Sequence, residues 1–353
     1  MTKLTASPER SRRRSWVDVV IDGVNRVPGP TWLVYLVGTL VLAVTGSLIA
    51  WSDGTVDPGA LSFVRVFTDS TVLYQLAVIH FLVWSAGRAL AAYAPALGSL
   101  ASSRDRLEWR LTRIPRWISI AGIVLGAAYA SSFLFGDPAG VGLTDESSSA
   151  LWVFVSVTTV VSGVFFAVLV LFVLHQMIAI VHIHAKSTEL SVFDAPVHGA
   201  FARLTLRSSL GLVIPVYVFT TYQLLAGNPD GEITIPELVT VVSLIGGAIG
   251  LFFIPLAGVH WRLLRQRSEL IASANRRFAA ATQEVHRRAD SGSLGGMEEL
   301  EKLLAALVSE REVVRKLSTW PWEPETLRAF LSSIALPILV WFITSLLGRV
   351  LGA

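Results

Sequence analysis

Between Leu151 and Ile180 the chain runs for 30 residues without a single aspartate, glutamate, lysine or arginine. A helix of that length extends about 45 Å, more than enough to cross a hydrocarbon core about 30 Å thick. Backbone groups in lipid must be paired within the segment, so a helix is the only sensible conformation for it. Six further segments are apolar over roughly the 20 residues a crossing requires: 32–51, 71–93, 117–135, 208–227, 237–261 and 327–348. The expected fold is therefore all-α and polytopic, with seven transmembrane helices.

Composition supports the same class, because 53% of the 353 residues are hydrophobic and only 16% are charged. An ordinary soluble domain cannot bury that surplus. The chain has no cysteine, which excludes disulfides, thiolate metal sites, iron–sulfur clusters and cysteine nucleophiles. Its 29 lysines and arginines are unevenly placed: 26 of them fall in 1–31, 98–116, 181–207 and 260–328. Cytoplasmic segments retain positive charge, so the N-terminus is expected in the cytoplasm of a plasma-membrane protein and the C-terminus outside. The intervening loops hold acids instead, among them Asp53, Asp57, Asp69, Asp145 and Glu146, and Arg65 is read as a lone outside-loop base. Tryptophan favours the headgroup layer, and Trp32, Trp117, Trp261, Trp320 and Trp322 stand at expected span ends as interface anchors. The first apolar run is longer than a signal-peptide core and follows about 30 residues, so it reads as an anchor.

Four regions follow: a basic amphipathic cytosolic segment over 1–31, a six-span bundle over 32–261, a cytosolic helical hairpin over 262–318, and an interfacial corner with the seventh span over 319–353. In the first, Trp16, Val20, Val24 and Val27 share a helical face beside SRRR, a pattern suited to an anionic inner leaflet. Membrane-flanking charge accounts for these arginines without nucleic acid. In the third, Leu264, Ile271, Ala274, Phe278, Ala281 and Val285 precede a SGSLGG break, and Leu300, Leu303, Leu307, Val314 and Leu317 follow it. Two amphipathic helices joined by a glycine turn predict an antiparallel pair, suited to self-pairing or to a protein partner, homo-oligomers included. In TWPWEPETLRAF, Pro324 can start a helix whose first turn carries Glu325. No nucleophile or metal ligand accompanies Glu323 and Glu325, so the stretch reads as a re-entry corner.

The sharpest candidate for chemistry is His80, near the middle of the second span, where an ionisable group is costly. Gln75, Tyr217, Thr220 and Gln223, with Thr158 and Thr159, are polar residues that could share a bundle interior with it. A second set, His175, His182, His184, His198 and His260, gathers at inner span ends, and its spacing fits no standard zinc pattern. Gly122, Gly126 and Ala130, and separately Gly246 and Gly250, are small faces for helix packing. No Walker, GxGxxG, HExxH or GxSxG signature occurs, so neither a cofactor nor an enzymatic activity is expected.

Two stretches, HIHAKSTELSVFDAPVHGAFARLTLRSSLGL (182–212) and LSTWPWEPETLRAFLSSIALPILVWFI (317–343), resemble uncharacterised multi-pass membrane proteins of prokaryotes. The resemblance implies a polytopic membrane protein and no reaction. The sequence thus favours a membrane-anchored signalling or scaffolding protein acting through its cytosolic hairpin. An ion or small-solute channel or transporter using His80 is the alternative.

Overall fold

The computed structural model describes residues 14–136, 138–226, 235–292, 295–322, 324–332 and 335. Among them the regular structure is helical throughout and no strand occurs. Nine helices follow in order: α1 Trp16–Val24, α2 Thr31–Ser52, α3 Phe63–Tyr93, α4 Arg104–Thr112, α5 Arg116–Gly136, α6 Ser149–Lys186, α7 Ala195–Ala226, α8 Ile235–Asp290 and α9 Met297–Lys316. Residues 324–332 are also helical.

Among the described residues five segments are long and apolar enough to cross a membrane: Thr31–Ser52, Phe63–Ala96, Gly98–Gly136, Ser149–Lys186 and Gly246–Asp290. They contain the first four expected spans and residues 246–261 of the sixth. The fifth coincides with α7, of which the Thr220 and Gln223 side chains lie outside the described residues. Of the seventh, 327–348, all but 327–332 and 335 lie outside them too. On α2, Leu33, Leu36, Val37, Leu40, Val41, Val44 and Leu48 are all exposed, while only Gly46, Ser47 and Ala50 are buried. A contiguous apolar face of this kind suits lipid and not water.

Helix α3 is central, packing against α2, α6 and α7, while α6 packs on α5 and α8. The α5–α6 seam is the closest approach. A Cβ at Gly126 would stand 2.4 Å from Gly163 O, and one at Gly122 would stand 2.3 Å from Val168 Cγ2. Gly122, Gly126 and Ala130 are thus a packing face, as their spacing predicts. At Gly246 and Gly250 no described residue of another element lies within 4 Å of an added Cβ. Ala248 is the buried residue there, and Ser209 Oγ donates to its carbonyl at 3.2 Å.

Three further differences from the sequence reading have physical reasons. Helix α1 begins at a capping box, Ser15 with Asp18, and buries Val17, Asp18 and Ile21, leaving Val20 and Val27 exposed. Its face is turned because Asp18 accepts from Ile114 N at 3.4 Å and Trp16 packs on Phe165 at 5.6 Å. Helix α3 starts eight residues earlier than expected and takes in Arg65 and Asp69, which therefore do not lie in a loop. Helix α8 runs 56 residues without interruption through Pro255, so the 261/262 boundary falls inside one rod. Helix α9 lies along the second half of that rod in antiparallel order. Arg288 Nη1 meets Gly295 O at 2.8 Å, Arg277 pairs with Glu310 at 3.2 Å, and Arg267 donates to Arg315 O. Leu300, Leu307 and Val314 are the buried residues of α9, and Leu303 is half-exposed beside them.

Candidate functional site

The most unusual chemistry sits where α2, α3 and α6 meet at their acidic ends. Arg65 and Asp69 are one turn apart on α3, with relative exposures of 4% and 1%. Charges buried this deeply need partners. Arg65 Nη2 donates to Gly142 O at 2.9 Å, and Nη1 to Gly46 O at 3.4 Å. Gly142 holds φ +82°, which glycine adopts without strain, and so turns the 139–141 loop over the guanidinium. Gly46 is required for a different reason: a Cβ there would lie 2.5 Å from Asp69 Oδ2 and 2.8 Å from Phe154. The absence of a side chain lets α2 close onto the carboxylate.

The satisfaction of this pair is incomplete. Asp69 Oδ2 and Arg65 Nε are buried without hydrogen-bond partners, as is Thr159 Oγ1. Thr158 Oγ1 donates to Val155 O at 3.2 Å beside the Asp69 carboxylate. Further along the seam, Thr71 Oγ1 and Ser162 Oγ are 2.8 Å apart. The Gln75 amide, turned to donate, reaches Ser162 O at 2.8 Å and Thr71 O at 3.3 Å. From Asp69 to Gln75 the α3–α6 interface is therefore polar for about 9 Å of helix.

Asp53 closes the cluster from outside the spans. It accepts from Thr55 N at 3.0 Å, Thr55 Oγ1 at 2.7 Å and Ser148 N at 3.1 Å, joining the end of α2 to the N-cap of α6. Burial pushes its carboxyl up, but the hydrogen bonds from Thr55 and Ser148 outweigh that and bring it down to about 2.

At the opposite, arginine-rich end Arg262 keeps no buried atom unpaired, although the amide oxygens Gln176 Oε1 and Gln266 Oε1 are buried without hydrogen-bond partners. Arg262 of α8 donates to His184 O and, at 2.9 Å, to Ser187 O, the carbonyls that end α6. A cation there complements the helix dipole. Gln266 Nε2 donates to Leu190 O at 2.8 Å, and the Tyr93 and Ser187 hydroxyls are 2.8 Å apart. Gln176 Nε2 donates to Leu111 O at 2.8 Å, fixing α4 under α6.

The residues singled out in the sequence distribute as follows. His80 Nδ1 lies 2.9 Å from the Tyr35 hydroxyl of α2, whereas Gln75 faces Ser162 of α6, so the two serve different helix pairs. Tyr217 lies on α7, and Thr220 and Gln223 are outside the described side chains. His184 stacks edge-on with Tyr93 and Phe201, both at 5.2 Å, and His260 lies flat on Trp320 at 4.0 Å and bonds Thr319 O at 2.9 Å. Among the described residues no three histidine, aspartate or glutamate side chains converge as a metal site would require. Of the tryptophans, Trp32, Trp117, Trp261 and Trp320 are exposed as a headgroup position requires. Trp322 instead is 6% exposed and packs on Phe252 and Phe253 at 5.5 and 5.0 Å. The corner folds back onto α8 and takes that ring into the core.

Sequence reasoning missed Arg65 and Asp69 because their charge argued for a loop. The available signal was their i, i+4 spacing in phase with Val72 and Leu76, which continues the buried stripe of α3. Comparison with protein-family models, with curated proteins and with solved structures finds no match.

Proposed function

We propose that this is an integral membrane protein that presents the α8–α9 pair on its cytosolic side as a docking element for signalling or scaffolding. The observation that carries this reading is the unbroken course of α8. One rod belongs both to the apolar bundle and to the charged arm, and Arg262 and Gln266 tie it to α6 at the transition. An arm so attached follows the bundle, as a relay or scaffold requires. The seven-span count and the cytosolic placement of the arm rest on the sequence pattern of apolar runs and positive charge.

Two measurements test the proposal. The chain should stay with membranes through alkaline carbonate extraction, and its release would remove the membrane assignment. A photocrosslinking residue at half-exposed Leu303 should capture a soluble cytosolic protein in cells, whereas one at buried Leu307 should not. Equal labelling at both sites, or none at either, would remove the docking role.

A second reading, movement of a proton or cation through the bundle, is favoured by the unpartnered Asp69 Oδ2 and the polar seam running to Gln75. An intramembrane carboxylate of this kind is a functional group by default. Reconstituted protein should then dissipate an ion gradient, and Asp69→Asn should abolish the flux. Flux equal to that of empty vesicles would retire this reading, as would unchanged flux in the variant.

A further inference from the structure

Arg88 of α3 and Arg207 of α7 converge on one exposed aromatic surface. The Arg88 guanidinium lies 4.8 Å from the Trp84 ring centre, and that of Arg207 lies 5.3 Å from Phe81 and 5.9 Å from Trp84. Phe81 and Trp84 stack on each other at 5.7 Å, and both are more than two-fifths exposed. Arg207 is fixed by donating one N–H to Ser85 Oγ at 2.6 Å, which leaves the rest of its fork for another acceptor. Neither arginine makes an ion pair with a carboxylate among the described residues, and the charges acting on Arg207 are those of Arg203 and Arg88. Like charges gathered on an aromatic wall are stabilised by an anion that bridges them.

The seam leading away from these arginines has the form of an acyl chain. Helices α3 and α7 meet so tightly at Gly211 that a Cβ there would stand 2.6 Å from Val78. Beyond that contact, Ile214 and Val218 are exposed on the face of α7 that carries half-buried Arg207 and buried Gly211. Eleven residues separate Arg207 from Val218, about 16 Å along a helix, and half of a hydrocarbon core is about 15 Å. Charge stands at one end and bare apolar surface at the other, one leaflet apart. Both arginines belong to the end of the bundle that holds most of the positive charge.

We infer that the α3–α7 seam is a binding site for one anionic glycerophospholipid of the inner leaflet, its phosphate between Arg88 and Arg207 and an acyl chain over Phe81, Ile214 and Val218. The wall of Phe81 and Trp84 excludes water from the phosphate and adds cation–π attraction on both guanidiniums. Zwitterionic lipids fit the apolar part equally but bring a choline cation against two arginines. The site therefore discriminates by charge. This inference rests on the membrane assignment made above.

Native mass spectrometry of the delipidated full chain in detergent tests it, with dioleoyl phosphatidylglycerol, dioleoyl phosphatidylcholine and inorganic phosphate as separate probes. Phosphatidylglycerol should bind about 10- to 30-fold more tightly than phosphatidylcholine, the gain expected for two interfacial arginines. Inorganic phosphate at the same concentration should leave the lipid adduct in place. Arg88→Gln with Arg207→Gln should bring the preference within about twofold of phosphatidylcholine, whereas Arg276→Gln on the exposed arm should preserve it. Should the double variant not fold, quenching decides: brominated phosphatidylglycerol should dim wild-type fluorescence more than brominated phosphatidylcholine, and Trp84→Phe should remove the excess. Equal binding of the two lipids by the wild type would overturn the inference, as would a preference surviving in the double variant or displacement of the lipid by phosphate. Carbonate extraction of the same preparations keeps loss of the lipid site distinct from loss of the membrane assignment.

Discussion

The two ends of the bundle solve the same problem with different completeness. At each, an arginine reaches main-chain carbonyls of neighbouring segments: Arg65 to Gly46 and Gly142, Arg262 to His184 and Ser187. At the Arg262 end the guanidinium itself is fully engaged on the end of α6, with Gln266 Nε2 and Tyr93 bonded beside it, and the neutral amide oxygens of Gln266 and Gln176 are left unpaired. The Arg65 end keeps unpaired atoms on the arginine, on Asp69 and on Thr159. A buried group without a partner raises the free energy of its own state. The difference therefore separates a joint whose task is to hold from one that has a reason to change.

Substitutions should expose that contrast, beginning with the largest effect. Arg65→Ala leaves Asp69 as an uncompensated buried charge and should destabilise the protein by about 3–5 kcal/mol, read as a lower unfolding temperature in detergent. Pairing it with Asp69→Asn should recover much of the loss, because the charge goes with its partner. Simple additivity of the two changes would contradict the pairing. Arg262 is only part-buried, so water can replace part of what Arg262→Ala removes, and the two bonds together should cost about 1.5–3 kcal/mol, the value of one fully formed charge-assisted bond, with faster amide exchange over 183–190. A cost equal to that of Arg65→Ala would erase the distinction between the ends.

Smaller effects sharpen the comparison. Tyr93→Phe loses the bond to Ser187 and should cost about 1 kcal/mol, and Asp69→Asn alone should cost less than Arg65→Ala, because Arg65 keeps its bonds to Gly46 O and Gly142 O whereas Asp69 Oδ2 has none to lose. The slightest is a pH effect at Asp53, whose folded carboxyl titrates near 2 against an ordinary value of about 3.9. A depressed folded value means that its stabilisation is complete above the ordinary value and fades as pH falls towards 2. Unfolding temperatures of wild type and Asp53→Asn should converge across that interval and stay parallel from pH 5 to 7.

Much of this architecture was legible in the chain, and what was not has a common cause. Apolar runs mark helices α2, α3, α5 and α6 because lipid leaves an apolar segment no alternative. The Gly122, Gly126 and Ala130 face was readable because small residues at helical spacing have one geometrical use. Polar residues are ambiguous by comparison. Arg65 and Asp69 look like loop residues until Gly142 and Gly46 are brought beside them by distant parts of the chain. Trp322 looks like a headgroup residue until Phe252 and Phe253 are found against it, and Val17 and Ile21 face inward only because Asp18 is held at Ile114. His80 and Gln75 could be recognised as buried polar residues, but which helix each would face depended on the rotation of α3, and no local pattern encodes that.

The unbroken α8 has a mechanical consequence. Beyond Arg262 the helix continues for 28 residues to Asp290, about 42 Å of rod at the usual rise. A tilt of about 5° at that fulcrum sweeps the far tip through about 4 Å, close to the width of one strand spacing. A displacement too small to disturb side-chain packing near the pivot is thus magnified into a step that a neighbouring molecule can feel.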